Sequence, residues 1–94
     1  MIGKSMYKVP NGKLLKITLQ HEENRVQGVK FTGDFFLYPE EAVGTLEHAL
    51  LGSELDKQII VEKINKAVSD GKIELFGLNA EGIADAVLMA RDFK

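Results

Sequence analysis

His21 and His48 are the only histidines, and there is no cysteine, so nucleophilic and metal chemistry have few residues to draw on. A zinc-type site needs three or four ligands at workable spacing; here two isolated histidines would have to recruit scattered Asp or Glu, and no ligand pattern supports that. His21 falls at the end of a strand-like run and His48 inside a helical one, beside Glu47. Ser5, Ser53 and Ser69 have no nucleophile elbow or neighbouring base, and Ser53 reads better as a helix cap. Gly28 and Gly33 have the gap of a phosphate loop, but Asp34-Phe35 stands where Lys and Ser/Thr are required. The Glu40-Glu41 pair could do acid–base work only if the carboxylates faced each other. Consecutive helical residues point about 100° apart, and a helix-dipole role fits them better.

The remaining unusual stretch is Gly33-Asp34-Phe35-Phe36-Leu37-Tyr38-Pro39-Glu40. Four large apolar residues in a row cannot all enter one core from a tight connection. Either Phe35 and Leu37 turn inward while Phe36 and Tyr38 cover the next helix, or part of the run forms a surface aromatic patch suited to a partner. The two arrangements are compatible.

The elements around this segment follow from periodicity. Met6 to Val9 is extended, and Pro10-Asn11-Gly12 carries the Asn-Gly hairpin signal. Leu15, Ile17 and Leu19 alternate with Lys16, Thr18 and Gln20, which predicts a strand with one buried face. After a turn at Glu22-Glu23-Asn24, a third strand over 25–32 points Val29 and Phe31 inward, and a bulge near Gly28 brings Val26 to the same side. The period then becomes helical: Pro39 suits the first helical position, Val43, Leu46 and Leu50 form a face, and Gly52 stops the helix. A second helix starts near Ser53 and Asp56, buries Ile60, Ile64, Ala67 and Val68, and ends at Asp70-Gly71. Lys72 to Phe76 is a short strand or a link, and Asn79 caps a third helix carrying Ile83, Ala86, Val87 and Ala90. The expected fold is α+β: a three-stranded antiparallel meander, with room for a short fourth strand, covered on one face by three helices. Residues 1–94 form a single domain.

With 45% hydrophobic and 28% charged residues, the 94-residue chain falls in the globular class. The longest apolar runs, such as Ile59-Ile60-Val61, are far short of a membrane span of ~20 residues, and no signal peptide is evident. A soluble, cytoplasmic protein is expected. The net charge of −2 divides unevenly: through Gly33 there are six Lys/Arg and two Glu, and from Asp34 onward six Lys/Arg and twelve Asp/Glu. This asymmetry can orient an encounter with a partner, or simply reflect strands carrying Lys and helices carrying Glu. The basic segment has no Arg cluster or interleaved aromatics, so no nucleic-acid partner is expected.

The eight-residue block from Gly33 to Glu40 resembles the signature of the C-terminal accessory domain of lipoate-protein ligases. Tyr7-Lys8-Val9-Pro10-Asn11-Gly12-Lys13-Leu14 is similar to that family's opening hairpin, where Gly often replaces Asn11. Leu46-Glu47 through Leu51-Gly52 resembles its first helix and stop, and Phe76-Gly77-Leu78-Asn79 its closing segment. The resemblance implies a non-catalytic accessory subunit. Its partner would be a separate catalytic subunit, in a heterodimer that activates lipoate with ATP to lipoyl-adenylate before transfer to a lysine of lipoyl acceptor domains. ATP, magnesium and lipoate would be used by the complex, with none bound by this chain alone. The resemblance places partner contact or junction roles on Gly33, Asp34, Phe35, Phe36, Leu37, Tyr38, Pro39 and Glu40. Lys13, beside the hairpin turn, is a candidate to reach an anionic substrate or an ordinary exposed lysine. A different reading remains open: a stand-alone protein-binding scaffold of related fold, as in iron–sulfur assembly proteins, with no part in lipoylation. Beyond these two lies an independent small-molecule enzyme.

Overall fold

The computed structural model describes residues 1–93. Three strands come first: β1 (Ile2–Lys8), β2 (Leu14–Glu22) and β3 (Arg25–Gly33), joined as an antiparallel meander with β2 in the centre. Leu15, Ile17 and Leu19 are at most 1% exposed, as their alternation requires, and Ile17 sits between Ser5 and Phe31 in register. Burying each of these aliphatic side chains contributes about 1.5–3 kcal/mol. Gln20 pairs with Gly28 and His21 with Val26, so Gln27 is the extra residue of a bulge. The bulge lets Val26 reach the core while Phe31, five residues on, does the same.

The two hairpin turns differ in kind. Glu23 and Asn24 both have positive φ (51° and 62°), the conformation of a two-residue type I′ connection. In the first turn only Asn11 is left-handed (φ 58°), and the Gly12 N–H donates to the Val9 carbonyl at 2.8 Å, so Pro10 and Asn11 are the central pair. The Asn-Gly reading located the turn but misassigned its glycine. Gly12 is required by close approach: a Cβ there would stand 2.5 Å from the Gly77 carbonyl oxygen.

After Gly33 the chain forms β4 (Phe36–Tyr38), which pairs antiparallel with β5 (Glu74–Phe76) in a separate two-stranded sheet. The structure thus has five strands in two sheets, where the sequence reading gave three and a possible fourth in one. Helix α1 spans Ala42–Ala49, not a segment beginning at Pro39. Pairing with β5 holds the backbone extended through Tyr38, a residue before proline avoids the helical region, and the Tyr38–Pro39 bond is cis. Pro39 to Glu41 form a turn closed by the Ala42 N–H donating to the Pro39 carbonyl at 3.0 Å. Glu41 is the N-cap residue of α1 and makes no side-chain cap bond, so the two carboxylates meet the helix dipole from just outside the first turn rather than from within it.

Gly52 (φ 78°) ends the turn after α1, and residues 52–54 then run along the outer edge of β3. The Gly52 N–H donates to Val26 at 2.8 Å and the Val26 N–H to Ser53 at 2.9 Å. This tether delays the second helix: α2 spans Lys57–Gly71 and is capped by Asp56, whose Oδ1 accepts the Ile59 N–H at 3.1 Å. Ser53, expected to cap, is instead buried at 1% exposure, and its hydroxyl donates to the Glu54 carbonyl. Lys72, in the left-handed region, closes α2. Helix α3 (Ala80–Arg91) begins as the sequence predicts, with Asn79 Oδ1 accepting the Gly82 N–H at 2.6 Å.

All three helices lie on one face of the meander and share its core. Leu46 from α1 and Leu50 at its C-cap, Ile60 and Ile64 from α2, and Ile83 and Val87 from α3 are each 0% exposed. Small residues let α3 sit close to β1. Ser5 donates to the Ala86 carbonyl at 2.7 Å, and a Cβ on Gly3 would collide with the Ala90 carbonyl. The opposite face of the meander has no element over it among the described residues.

Candidate functional site

A two-stranded ribbon packed on a core can bury only one face, and β4–β5 buries Leu37 (2% exposed), with Leu75 beside it packed against the core. By alternation the other face carries Phe36 and Tyr38 from β4 and Glu74 and Phe76 from β5. Phe36 and Phe76 are directly opposite, with ring centroids 5.8 Å apart and planes tilted by 48°, and each is about half exposed (49% and 48%). Tyr38 is 62% exposed. A tilted pair at this distance is worth about 0.5–1.5 kcal/mol beyond its buried area. Its outer surface still leaves two aromatic rings in water beside a third.

The residues named from the sequence separate into distinct tasks. Gly33 (φ 141°) lies so close to Leu14 that a Cβ would meet that residue's carbonyl, and the Asp34 N–H donates to the same carbonyl at 3.0 Å. These two residues fix where the ribbon leaves the meander. Phe35 packs half-buried against the core and Leu37 inside it; only Phe36 and Tyr38 of the aromatic run face outward. Pro39 is half-buried and Glu40 exposed in the turn before α1. Phe35 and Leu37 turn inward as expected, whereas Phe36 packs against Phe76 rather than over the helix start and Tyr38 is left exposed.

Phe76 was not singled out from the sequence as a site residue, because Lys72 to Phe76 could be read as a link. The usable signal was a large aromatic immediately before Gly77-Leu78-Asn79, in a segment with alternating Glu74-Leu75-Phe76. Lys13 proves to be tied to this end of the molecule. Its N–H donates to the Gly77 carbonyl at 2.8 Å, its side chain is exposed, and a Cβ on Gly77 (φ 85°) would strike the Lys13 side chain. The β1–β2 hairpin is thereby pinned one residue from Phe76.

The residues tested for catalysis are not brought together. His21 is half-buried at the end of β2, His48 is exposed on α1, and the Ser5 hydroxyl is engaged by Ala86. Among the described residues no three His, Asp or Glu side chains cluster as a metal site. No helix among the described residues is long and apolar enough to cross a membrane. The shifted ionisations lie on the helices: Lys57 is raised by its hydrogen bond to Asp85, Lys66 by that to Asp70, and Arg91 by that to Asp92. The exposed aromatic face of the ribbon is of the kind suited to contact with a partner.

Residues 7–86, which include the ribbon and the hairpin, match the family described as the bacterial lipoate protein ligase C-terminus. Over 70 residues the chain is 34% identical to lipoate-protein ligase A subunit 2 of Thermoplasma acidophilum, covering 74% of this chain and 67% of that protein. It also superposes, with a TM-score of 0.78 and 30% identity, on a chain from a structure of an archaeal lipoylation system. That structure is described as a bi-partite lipoate protein ligase and its E2 lipoyl domain from Thermoplasma acidophilum, and the match covers 93% of this chain and 94% of that one. This chain belongs to the lipoate-protein ligase C-terminal family.

Proposed function

We propose that the chain is the non-catalytic subunit of a two-protein lipoate-protein ligase, seated on a separate catalytic subunit through Phe36, Phe76 and Tyr38. The observation that carries this reading is the aromatic ribbon face, held out from the core in the segment that most resembles the family. Half-exposed aromatics on a rigid strand pair are suited to fill pockets on a partner, because little side-chain entropy remains to be lost. A related subunit from a bi-partite ligase supports assignment to lipoylation over an unrelated scaffold role.

In that complex the catalytic subunit would join lipoate to ATP, releasing pyrophosphate and forming lipoyl-adenylate, and then pass the lipoyl group to a lysine amine of an acceptor domain with AMP as the leaving group. Adenylate formation needs two anionic reactants held in line and shielded from water. A rigid body docked beside the reaction centre contributes by ordering the loops that close over it. ATP, magnesium and lipoate stay with the partner, and Lys13 stands at the hairpin tip where it can reach towards an anionic reactant.

The test combines the purified chain with the catalytic subunit, ATP, magnesium, lipoate and an acceptor domain, and follows pyrophosphate. Release is expected only when both proteins are present, whereas transfer from preformed lipoyl-adenylate should proceed without this chain. Equal pyrophosphate release with and without the chain would refute the activation role.

A further inference from the structure

The uncovered face of the β1–β2–β3 meander has a charge pattern that the aromatic ribbon does not account for. Register sets its rows: Ile2 with Gln20 and Gly28, Lys4 with Thr18 and Lys30, Met6 with Lys16 and Thr32, and Lys8 with Leu14. Four lysines therefore stand on one small face, and the only carboxylate on it among the described residues, Glu22, is at the far rim opposite Arg25. Among the described residues none of Lys4, Lys8, Lys16 and Lys30 is in an ion pair; the pairs there involve Arg25, Lys57, Lys66 and Arg91. Between the lysines, Ile2 and Met6 are 60% and 62% exposed. A groove of about 450 Å³ runs over this face, lined by Lys4, Met6, Lys16, Thr18, Thr32 and Phe93.

We infer that this lysine face is a second docking surface, receiving a carboxylate-rich patch of the same catalytic subunit and steering its approach. This rests on the function proposed above. Like charges gathered on neighbouring strands repel one another, and an anionic partner relieves that repulsion. The chain's own acidic surface lies on the helical side, so a second copy could dock only head-to-tail, an arrangement that propagates rather than closing into a dimer. Nucleic acid fits poorly, because among the described residues the face offers one arginine, at its rim and paired with Glu54, and one aromatic ring, Phe93 at the groove, with no aromatics interleaved among the lysines.

Area and continuity select the catalytic subunit. Three strands of this length present roughly 350 Å² at ordinary strand spacing and rise, well under the ~800 Å² per partner of a stable interface. The Lys8–Leu14 row adjoins Lys13, whose backbone is bonded to Gly77 next to Phe76, so the lysine face and the aromatic ribbon are joined through one hydrogen bond. One partner spanning both reaches the area that neither supplies alone. Hydrated lysine ammonium groups then govern the association rate, and the aromatic rings govern dissociation.

Stopped-flow association of the catalytic subunit with the full chain, across a range of salt concentrations, tests this. Lys4→Glu/Lys16→Glu/Lys30→Glu should lower the association rate at low salt by tenfold or more and flatten its salt dependence. The corresponding triple Gln variant should fall between this and wild type, and Lys63→Glu on α2 should match wild type. Wild-type rates and salt slope in both triple variants would overturn the inference while leaving the proposed function standing. So would unchanged association accompanied by a raised KM for the acceptor domain, which would assign the face to that protein. No association by the wild-type chain would sink both readings.

Discussion

Glu47 reaches from α1 to the outer edge of β3, where its Oε2 accepts the Phe31 N–H at 2.8 Å. Phe31 is itself a core residue, 3% exposed, so the carboxylate satisfies a backbone donor on the part of the β3 edge that, among the described residues, no other strand pairs with. Glu47→Ala leaves that donor in a partly enclosed position and should cost about 1–3 kcal/mol in urea denaturation. Glu47→Gln keeps an acceptor of similar reach and should recover most of the loss.

That contact also illustrates what the sequence could reveal. The inward faces of β2 and α3, the Gln27 bulge that admits Val26, and the Asn79 cap follow from local period and cap chemistry, and all are present. Features that depend on a distant partner were not legible. Glu47 in a helical run gives no sign that it serves β3, and Gly12 looks like a turn glycine when it is needed against Gly77, sixty-five residues away. Pro39 and Ser53 failed as helix starts for the same reason: pairing of β4 with β5, and of residues 52–54 with β3, overrides the local helix signal. At the candidate site, Phe36 and Tyr38 could be found from their own segment, but Phe76 required knowing that β4 and β5 pair.

Two glycine-to-alanine changes should have opposite signs. At Gly3 an added Cβ runs into the Ala90 carbonyl, a backbone group that cannot move without shifting α3 away from β1. Gly3→Ala should destabilise by about 2–3 kcal/mol. At Gly44, inside α1, a Cβ meets nothing within 4 Å, so Gly44→Ala should stabilise by about 0.5–1 kcal/mol through helix propensity and a less flexible unfolded chain. Urea midpoints measured in parallel decide both, and equal signs would contradict the geometry.

Lys57 at the start of α2 is paired with Asp85 of α3 at 3.1 Å, and the hydrogen bond and charge of Asp85 raise the ammonium's pKa above the ordinary lysine value. A pKa raised on folding stabilises the protein below the unfolded value, and that contribution fades as pH rises through the folded one. Wild type should therefore exceed Asp85→Asn in urea midpoint at neutral pH. As pH rises from neutral, the gap should persist until roughly pH 10 and close above it, and added salt should narrow it because the pair is exposed. A gap that persisted into strong alkali would assign the effect of Asp85→Asn to something other than this pair.

Tyr38 offers the cleanest probe of the aromatic face, because its side chain is 62% exposed and its core-facing neighbour Leu37 is untouched by replacing it. Tyr38→Ser should change folding stability by no more than about 0.5 kcal/mol, as for an ordinary surface position. Phe36→Ala removes half of the Phe36–Phe76 pair and part of a buried ring, so a loss of about 1–2 kcal/mol is expected. If both residues fill pockets on the catalytic subunit, each should weaken binding in calorimetric titration by tenfold or more, since a truncated interface anchor costs about 2 kcal/mol. Pyrophosphate release with Tyr38→Ser should return to the wild-type maximum once enough of the variant is added, because docking is impaired while the partner's chemistry is intact. Wild-type affinity in Tyr38→Ser and Phe36→Ala alike would mean that the ribbon faces solvent in the complex and that the seat lies elsewhere on the molecule.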